Sequence, residues 1–300
     1  MNVKERFMEF WVIIEIILLG IVEGITEWLP ISSTGHMNLI TNFWELKNVS
    51  PAFTEMFEYV IQLAAILAVV VYFFQKLLPF RVEKDTSENI EEGTKTKLVA
   101  DMGALKLWLK VIIACVPAVF ALVIDKLFEG LSPMTESLII ACALIFYGVI
   151  FIIVENFNKK RNPKINEISE LSYKYAFFIG CFQVLAVIPG TSRSGITIIG
   201  ALLLGISRTA ATEFTFFLAI PTMVGASAYK LLKFFLEAGS MSGAEVGYLL
   251  IGSVVAFAVS LVVIKMLTNF VKKHDFKPFG WYRIGFGLVV ILALVLPALL

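Results

Sequence analysis

Glu23-Gly-Ile-Thr-Glu27-Trp-Leu-Pro30-Ile-Ser32-Ser33-Thr34-Gly35-His36 sets two carboxylates, a run of hydroxyls and an imidazole inside a chain that otherwise reads as membrane. The 300 residues are 58% hydrophobic and 16% charged, against about 45–50% and 25% in soluble domains. An ionisable group at bilayer depth costs about 2.5–3.5 kcal/mol on insertion scales. Such groups persist where they line a cavity. Carboxylates and hydroxyls beside a helix start suit chemistry on a phosphate.

Working outward, apolar runs long enough to cross a bilayer lie at 57–78, 108–124, 137–154, 214–235, 246–268 and 282–300. Shorter or interrupted runs lie at 8–29, 37–46, 175–188 and 195–206. Irregular backbone at membrane depth needs protein or water to cover it, so the short runs predict re-entrant or broken helices. The predicted fold is an all-α polytopic membrane protein with about eight full transmembrane helices and two re-entrant regions. Cys115, Cys142 and Cys181 are isolated and lack metal-ligand spacing. Lys4 and Arg6 precede an apolar run without a small-residue cleavage site, which reads as a retained first segment. A net charge of +1 and no basic tail give no reason to expect nucleic acid.

Charge in the connections orients the chain. Residues 155–174 carry Lys159, Lys160, Arg161, Lys164 and Lys174, and residues 270–283 carry Lys272, Lys273, Lys277 and Arg283. The connections 125–136 and 236–245 hold only Lys126, against Asp125, Glu129, Glu136, Glu237 and Glu245. The positive-inside bias places the first pair in the cytoplasm and the second pair outside. The mixed-charge connection 79–107 is then cytoplasmic and flexible between Thr86 and Thr96. Glu55, Glu58, Gln62 and Glu213 fall near the outer ends of their helices on this topology.

Two segments look alike. Gly20-Ile-Val-Glu23 precedes Pro30-Ile-Ser-Ser-Thr-Gly35, and Gly180-Cys-Phe-Gln183 precedes Pro189-Gly-Thr-Ser-Arg-Ser-Gly195. Thr54-Glu55 and Thr212-Glu213 each open a long apolar helix downstream, so the offset stays near ~160 residues. This predicts one membrane domain, 1–300, made of a first repeat over 1–155 and a second over 156–300. An odd number of spans between copies inverts the second, and inverted repeats build a midplane site from both halves.

Glu23 and Glu27 are spaced i, i+4 on one helix face. Pro30 ends that helix. Ser32, Ser33 and Thr34 are good N-cap types for the next one, and Ser192 and Ser194 flank Arg193 before the run from Ile196. Both loops therefore read as helix N-termini, which bind phosphate. Arg193 adds a permanent planar cation. A divalent cation held by Glu23 and Glu27 would reconcile them with an anion, as would protonation of one glutamate. His36 is a candidate general acid or base. Ser33 or Ser32 is a candidate nucleophile.

The strings E-G-x-T-E-x-L-P-x-S-S-T-G-H and P-G-x-S-R-S-G together resemble the undecaprenyl-diphosphate phosphatase family, also known as the bacitracin-resistance protein family. The resemblance extends through F-E-Y-V-I-Q-L-A-A-I-L-A-V-V at 57–70 and F-F-L-A-I-P-T-M-V-G-A at 216–226. It implies a hydrolase that converts undecaprenyl diphosphate to undecaprenyl phosphate and phosphate. That reaction recycles the lipid carrier for peptidoglycan and other wall polymers and confers bacitracin resistance. It implies a multi-pass bacterial plasma-membrane enzyme, opening to the outer side and dependent on Mg²⁺ or Ca²⁺. The family's motif glutamates fall on Glu23 and Glu27, its hydroxyls on Ser32, Ser33 and Thr34, its histidine on His36 and its arginine on Arg193 beside Ser192. Ser33 matches the proposed nucleophile. The expected partners are a polyprenyl diphosphate and the bilayer, and a homodimer is compatible with the sequence. A secondary transporter or lipid flippase with a midplane anion site is the rival reading, since inverted repeats are common among transporters.

Overall fold

A computed structural model describes residues 3–43, 49–84, 96–128, 130–159, 161–237 and 240–299. Lys160, Glu129 and the centre of the long charged connection, 85–95, lie outside the described residues.

Among the described residues, six helical stretches are long and apolar enough to cross a membrane: Ala52–Tyr72, Met102–Asp125, Pro133–Asn158, Arg208–Glu237, Gly243–Phe270 and Lys277–Ala298. They coincide with the six long apolar runs. Six is fewer than the expected full spans of about eight. The interrupted runs form the two broken regions expected of them, as hairpins of α1 (Val3–Thr26) with α2 (Ser33–Phe43) and α8 (Tyr173–Val184) with α9 (Arg193–Leu203).

The spanning elements are α3 (Pro51–Tyr72, extended by α4, Phe74–Leu77), α5 (Met102–Cys115) with α6 (Ala118–Asp125), α7 (Pro133–Asn158), α10 (Arg208–Glu237), α11 (Gly243–Phe270) and α12 (Lys277–Val290). Their ends follow local chemistry. Ser50 and Ser132 cap α3 and α7 just before a proline at the first helical position. Asp101 caps α5 through the Gly103 and Ala104 amides, and Ser242 with Glu245 forms a capping box on α11. Pro117 separates α5 from α6. Pro221 lies inside α10, where Thr222 Oγ1 donates to the Leu218 carbonyl at 2.9 Å. A two-stranded hairpin, β1 (Phe80–Lys84) and β2 (Thr96–Ala100), joins α4 to α5.

The helices exchange partners in a twofold pattern. α1 and α3 pack on α11, as α8 and α10 pack on α5, while α3 meets α10 and α7 meets α12. Glycines at the repeated positions make the first of these contacts close. A Cβ at Gly20 would lie 2.8 Å from the Gly252 carbonyl oxygen, and one at Gly180 would lie 2.1 Å from that of Ala114. Overpacking of this kind costs about 1–3 kcal/mol. Gly180→Ala is therefore expected to lower the Tm of the detergent-solubilised protein. Gly247→Ala, whose Cβ meets nothing within 4 Å, should leave it unchanged.

Two charges stand elsewhere than expected. Arg283, counted with the basic connection 270–283, lies inside α12 and is fully buried. α12 buries Gly280, Arg283, Gly287 and Val290, packs on α7, and reaches both hairpins through Arg283. Glu213 is not at the end of the bundle that holds Glu58. It lies near the start of α10 and pairs with Lys76, on α4, at 2.8 Å.

Candidate active site

α1 ends at Thr26, and Pro30 prevents its ladder from resuming through the turn. The chain reverses through Ser32 at φ 74° and starts α2 at Ser33. The second hairpin repeats the device: Ser192 has φ 68° and α9 starts at Arg193. Each serine caps its own helix, Ser32 Oγ accepting from the Gly35 amide at 3.3 Å and Ser192 Oγ from the Gly195 amide at 3.1 Å. A left-handed serine costs about 1–3 kcal/mol and persists only where the surroundings hold it.

The surroundings are polar and shared between the hairpins. Ser194 Oγ donates to the carbonyls of Glu27, at 3.2 Å, and Leu29, at 3.4 Å. The Arg283 guanidinium donates to the carbonyls of Pro30 at 3.2 Å, Gly190 at 2.9 Å and Thr191 at 3.0 Å, tying one turn to the other. Gly190, at φ 85°, is needed for close approach as well: a Cβ there would lie 2.6 Å from the Ile140 carbonyl oxygen. His36 stands one turn into α2. Its Nδ1 is 2.7 Å from the Ser32 carbonyl and its Nε2 is 2.7 Å from the Tyr282 hydroxyl. A carbonyl only accepts, so Nδ1 carries the proton and Nε2 accepts from Tyr282. The ring stacks on Phe286, with centroids 3.9 Å apart, and lies nearly parallel to Tyr282.

At the meeting point, one carboxylate joins the two helix starts. Ser33 Oγ donates to Glu27 Oε2 at 2.7 Å, and Arg193 Nη2 donates to Glu27 Oε1 at 2.8 Å. Ser33 and Arg193 occupy the same position in their respective repeats. This cluster is on the wall of a cavity of about 420 Å³ that also exposes Thr34, Ser192 and Ser194. The cavity extends to the end of α6 and the first turn of α7, where Asp125 and Glu136 lie. Glu58 and Gln62 line it from α3. Among the described residues, Arg193 is the single cation on this wall, facing four carboxylates. Ser32, Glu23 and His36 are buried and do not line the cavity. The side chain of Glu55 lies outside the described residues.

Two carboxylates flank the site without a metal cage. Among the described residues, no three His, Cys, Asp or Glu side chains gather as a metal site. Mg²⁺ is commonly held by one or two carboxylates plus substrate phosphates, and Glu27 with Glu58 on the wall fits that use. Glu23, directly behind on α1, keeps a buried Oε1 without a partner.

The fold and the site together define a polytopic membrane enzyme with a hydroxyl–carboxylate–guanidinium chain where two broken helices meet. The family model described as bacitracin resistance protein BacA matches residues 16–289, and the chain belongs to that family. Curated relatives named undecaprenyl-diphosphatase include one from Enterococcus faecalis, 54% identical over 95% of this chain and 98% of its own length. Another, from Desulfitobacterium hafniense, is 52% identical over 93% of this chain and 95% of its own.

Sequence reasoning missed Arg283 and Tyr282. The signal for Arg283 was its place: apolar and aromatic residues separate it from Lys277, and an apolar run comes directly after it.

Proposed function

We propose that the protein hydrolyses undecaprenyl diphosphate to undecaprenyl phosphate and inorganic phosphate, returning the lipid carrier to cell-wall synthesis. The observation that carries the mechanism is the Ser33–Glu27–Arg193 chain at the hairpin tips. A hydroxyl within hydrogen-bond reach of a carboxylate, itself oriented by a third group, is the arrangement of an activated nucleophile. Ser33 Oγ attacks the terminal phosphorus as its proton passes to Glu27 Oε2. The bond from that phosphorus to the bridging oxygen breaks, and undecaprenyl phosphate leaves. Glu27 gives that proton to the departing undecaprenyl phosphate, then takes one from the water that attacks the phosphoserine and returns it to Ser33 Oγ as inorganic phosphate leaves, which restores both residues.

Arg193 and the amides at the starts of α2 and α9 bind the phosphate oxygens, since helix N-termini favour anions. Thr34, Ser192 and Ser194 add hydroxyls around them. A bound Mg²⁺ or Ca²⁺ would be held by Glu27 and Glu58 and would neutralise the diphosphate. We assign His36 to holding the Ser32 turn rather than to proton transfer, because both its nitrogens are engaged away from the cavity.

The architecture supporting this reading is a pair of inverted repeats. Three candidate spans, an odd number, separate the two hairpins, and the helix partners exchange in a twofold pattern. The cavity extends toward the end of the bundle carrying the connections poor in Lys and Arg, which supports an opening on the outer side of the plasma membrane. The site is built within one chain, so a homodimer is not required for catalysis.

The test is phosphate release from C55 diphosphate by the purified protein, with a quenched reaction probed for phosphoserine. We expect a trapped phosphate on Ser33 that disappears in Ser33→Ala, with release falling by about a thousandfold or more. Undiminished release by Ser33→Ala would refute serine attack, and phosphohistidine at His36 would transfer the role there.

A further inference from the structure

The hairpin between α4 and α5 presents an apolar face that no described part of the protein covers. In its register Phe80 pairs with Ala100 and Val82 with Leu98. Side chains on directly opposed residues share a face and alternate along a strand. Phe80, Val82 and Leu98 therefore point one way, and they are 50%, 67% and 65% exposed. Arg81, Glu83, Lys97 and Val99 occupy the other face, and the pair Lys84 and Thr96 ends the first. A lone two-stranded hairpin is marginal in water, so this one needs a surface to lie on.

The next helix identifies that surface. Asp101 turns directly into α5, where Met102, Leu105, Leu109 and Ile112 are all exposed. Their spacing makes one stripe on a helix that belongs to a membrane span. The stripe is lipid-facing, and Leu98 stands at its end. Dimensions agree. A strand rises about 3.3 Å per residue, so the Val82–Leu98 rung lies about 7 Å beyond the Phe80–Ala100 rung. The polar layer of a bilayer is about 5–7 Å thick on each side of the hydrocarbon. On this face the apolar positions stop within that distance, and the next pair on it is Lys84 with Thr96.

We propose that the Phe80, Val82 and Leu98 face docks on the lipid interface at the α3 and α5 end of the bundle, anchoring the long charged connection to the membrane surface. The occupant is lipid rather than protein because the face leads into the exposed stripe of a helix that belongs to a membrane span, and Asp101, the one polar residue between them, is turned to its own helix, accepting from the Gly103 and Ala104 amides. The proposal is independent of the catalytic reading.

Spin labels test it directly. In protein whose native cysteines are replaced, labels are placed by Val82→Cys and Leu98→Cys on one face and by Glu83→Cys and Lys97→Cys on the other. The protein is reconstituted in nanodiscs of phosphatidylcholine and phosphatidylglycerol. Power saturation compares oxygen, which partitions into lipid, with a water-soluble nickel chelate. We expect an oxygen-to-nickel ratio severalfold higher at 82 and 98 than at 83 and 97. Phe80→Cys and Arg81→Cys repeat the comparison two rungs nearer the helices. Equal nickel access at both faces overturns the proposal. Shielding of 82 and 98 from both reagents overturns it in favour of a protein occupant. Phosphate release by each labelled protein checks that the bundle is intact.

Discussion

Arg193→Lys is expected to cut phosphate release by about a hundredfold and Arg193→Ala by about a thousandfold, in line with losing a preorganised donor to developing phosphate charge. The reason is the charge balance on the cavity wall. Glu27, Glu58, Asp125 and Glu136 line it, and Arg193 is the single cation lining it among the described residues. Removing the guanidinium leaves Glu27, whose side chain is only 9% exposed, as an uncompensated carboxylate where the substrate's phosphates must sit. Lysine keeps the charge but not the fork that grips Glu27 and reaches the Thr215 carbonyl. Both variants should fold, since the side chain lines the cavity and is 15% exposed rather than fully enclosed. Glu27→Gln combined with Arg193→Ala should cost less than the product of the single losses, because the residues act on one hydrogen-bonded unit. Strictly multiplicative losses in kcat/KM would show that the pair does not work together.

Arg283→Met should act on the fold first and on activity through it. The guanidinium is fully buried and donates to carbonyls from both hairpin turns. An apolar side chain of similar length leaves those acceptors unpaired in a dry interior, at about 1–3 kcal/mol each for the ones that find no water. We expect a total loss on the order of 3–5 kcal/mol, read as a Tm drop of several degrees, with phosphate release falling as the two tips separate. Arg283→Lys should recover part of the stability, since an ammonium cannot reach all three carbonyls at once. A Tm indistinguishable from the native protein would remove Arg283 from its role as the clamp.

The broken hairpins were legible because Pro30 and Pro189 interrupt apolar runs beside clustered hydroxyls, a pattern few other structures explain. The convergence of residues 23–36 with 189–195 was legible through the repeat. What stayed hidden is of a different kind. The left-handed Ser32 and Ser192 carry no local signal, because that backbone region favours glycine and only tertiary bonds hold a serine there. Arg283 was hidden by its neighbourhood, since a charge near the end of an apolar run counts the same in an orientation argument whether it is solvated or buried. The partnership of His36 with Tyr282 spans 246 positions, and no spacing rule reaches that far. Glu213, expected at the outer end with its repeat counterpart Glu55, pairs instead with Lys76 on α4. An inversion sends equivalent residues to opposite ends.

The carboxylates Glu58, Asp125 and Glu136 along the cavity have a kinetic consequence. On the assignment of Arg193 to the phosphates proposed above, an anion diffusing in from that end of the cavity meets these carboxylates first, and in a low-dielectric passage each slows its arrival. Inorganic phosphate, pyrophosphate and nucleotides are therefore held at low local concentration. A diphosphate tethered by a long isoprenoid escapes that penalty, because the bilayer confines its headgroup beside the opening and raises its effective concentration. The passage thus filters by anchorage, and the same repulsion hurries the released phosphate out.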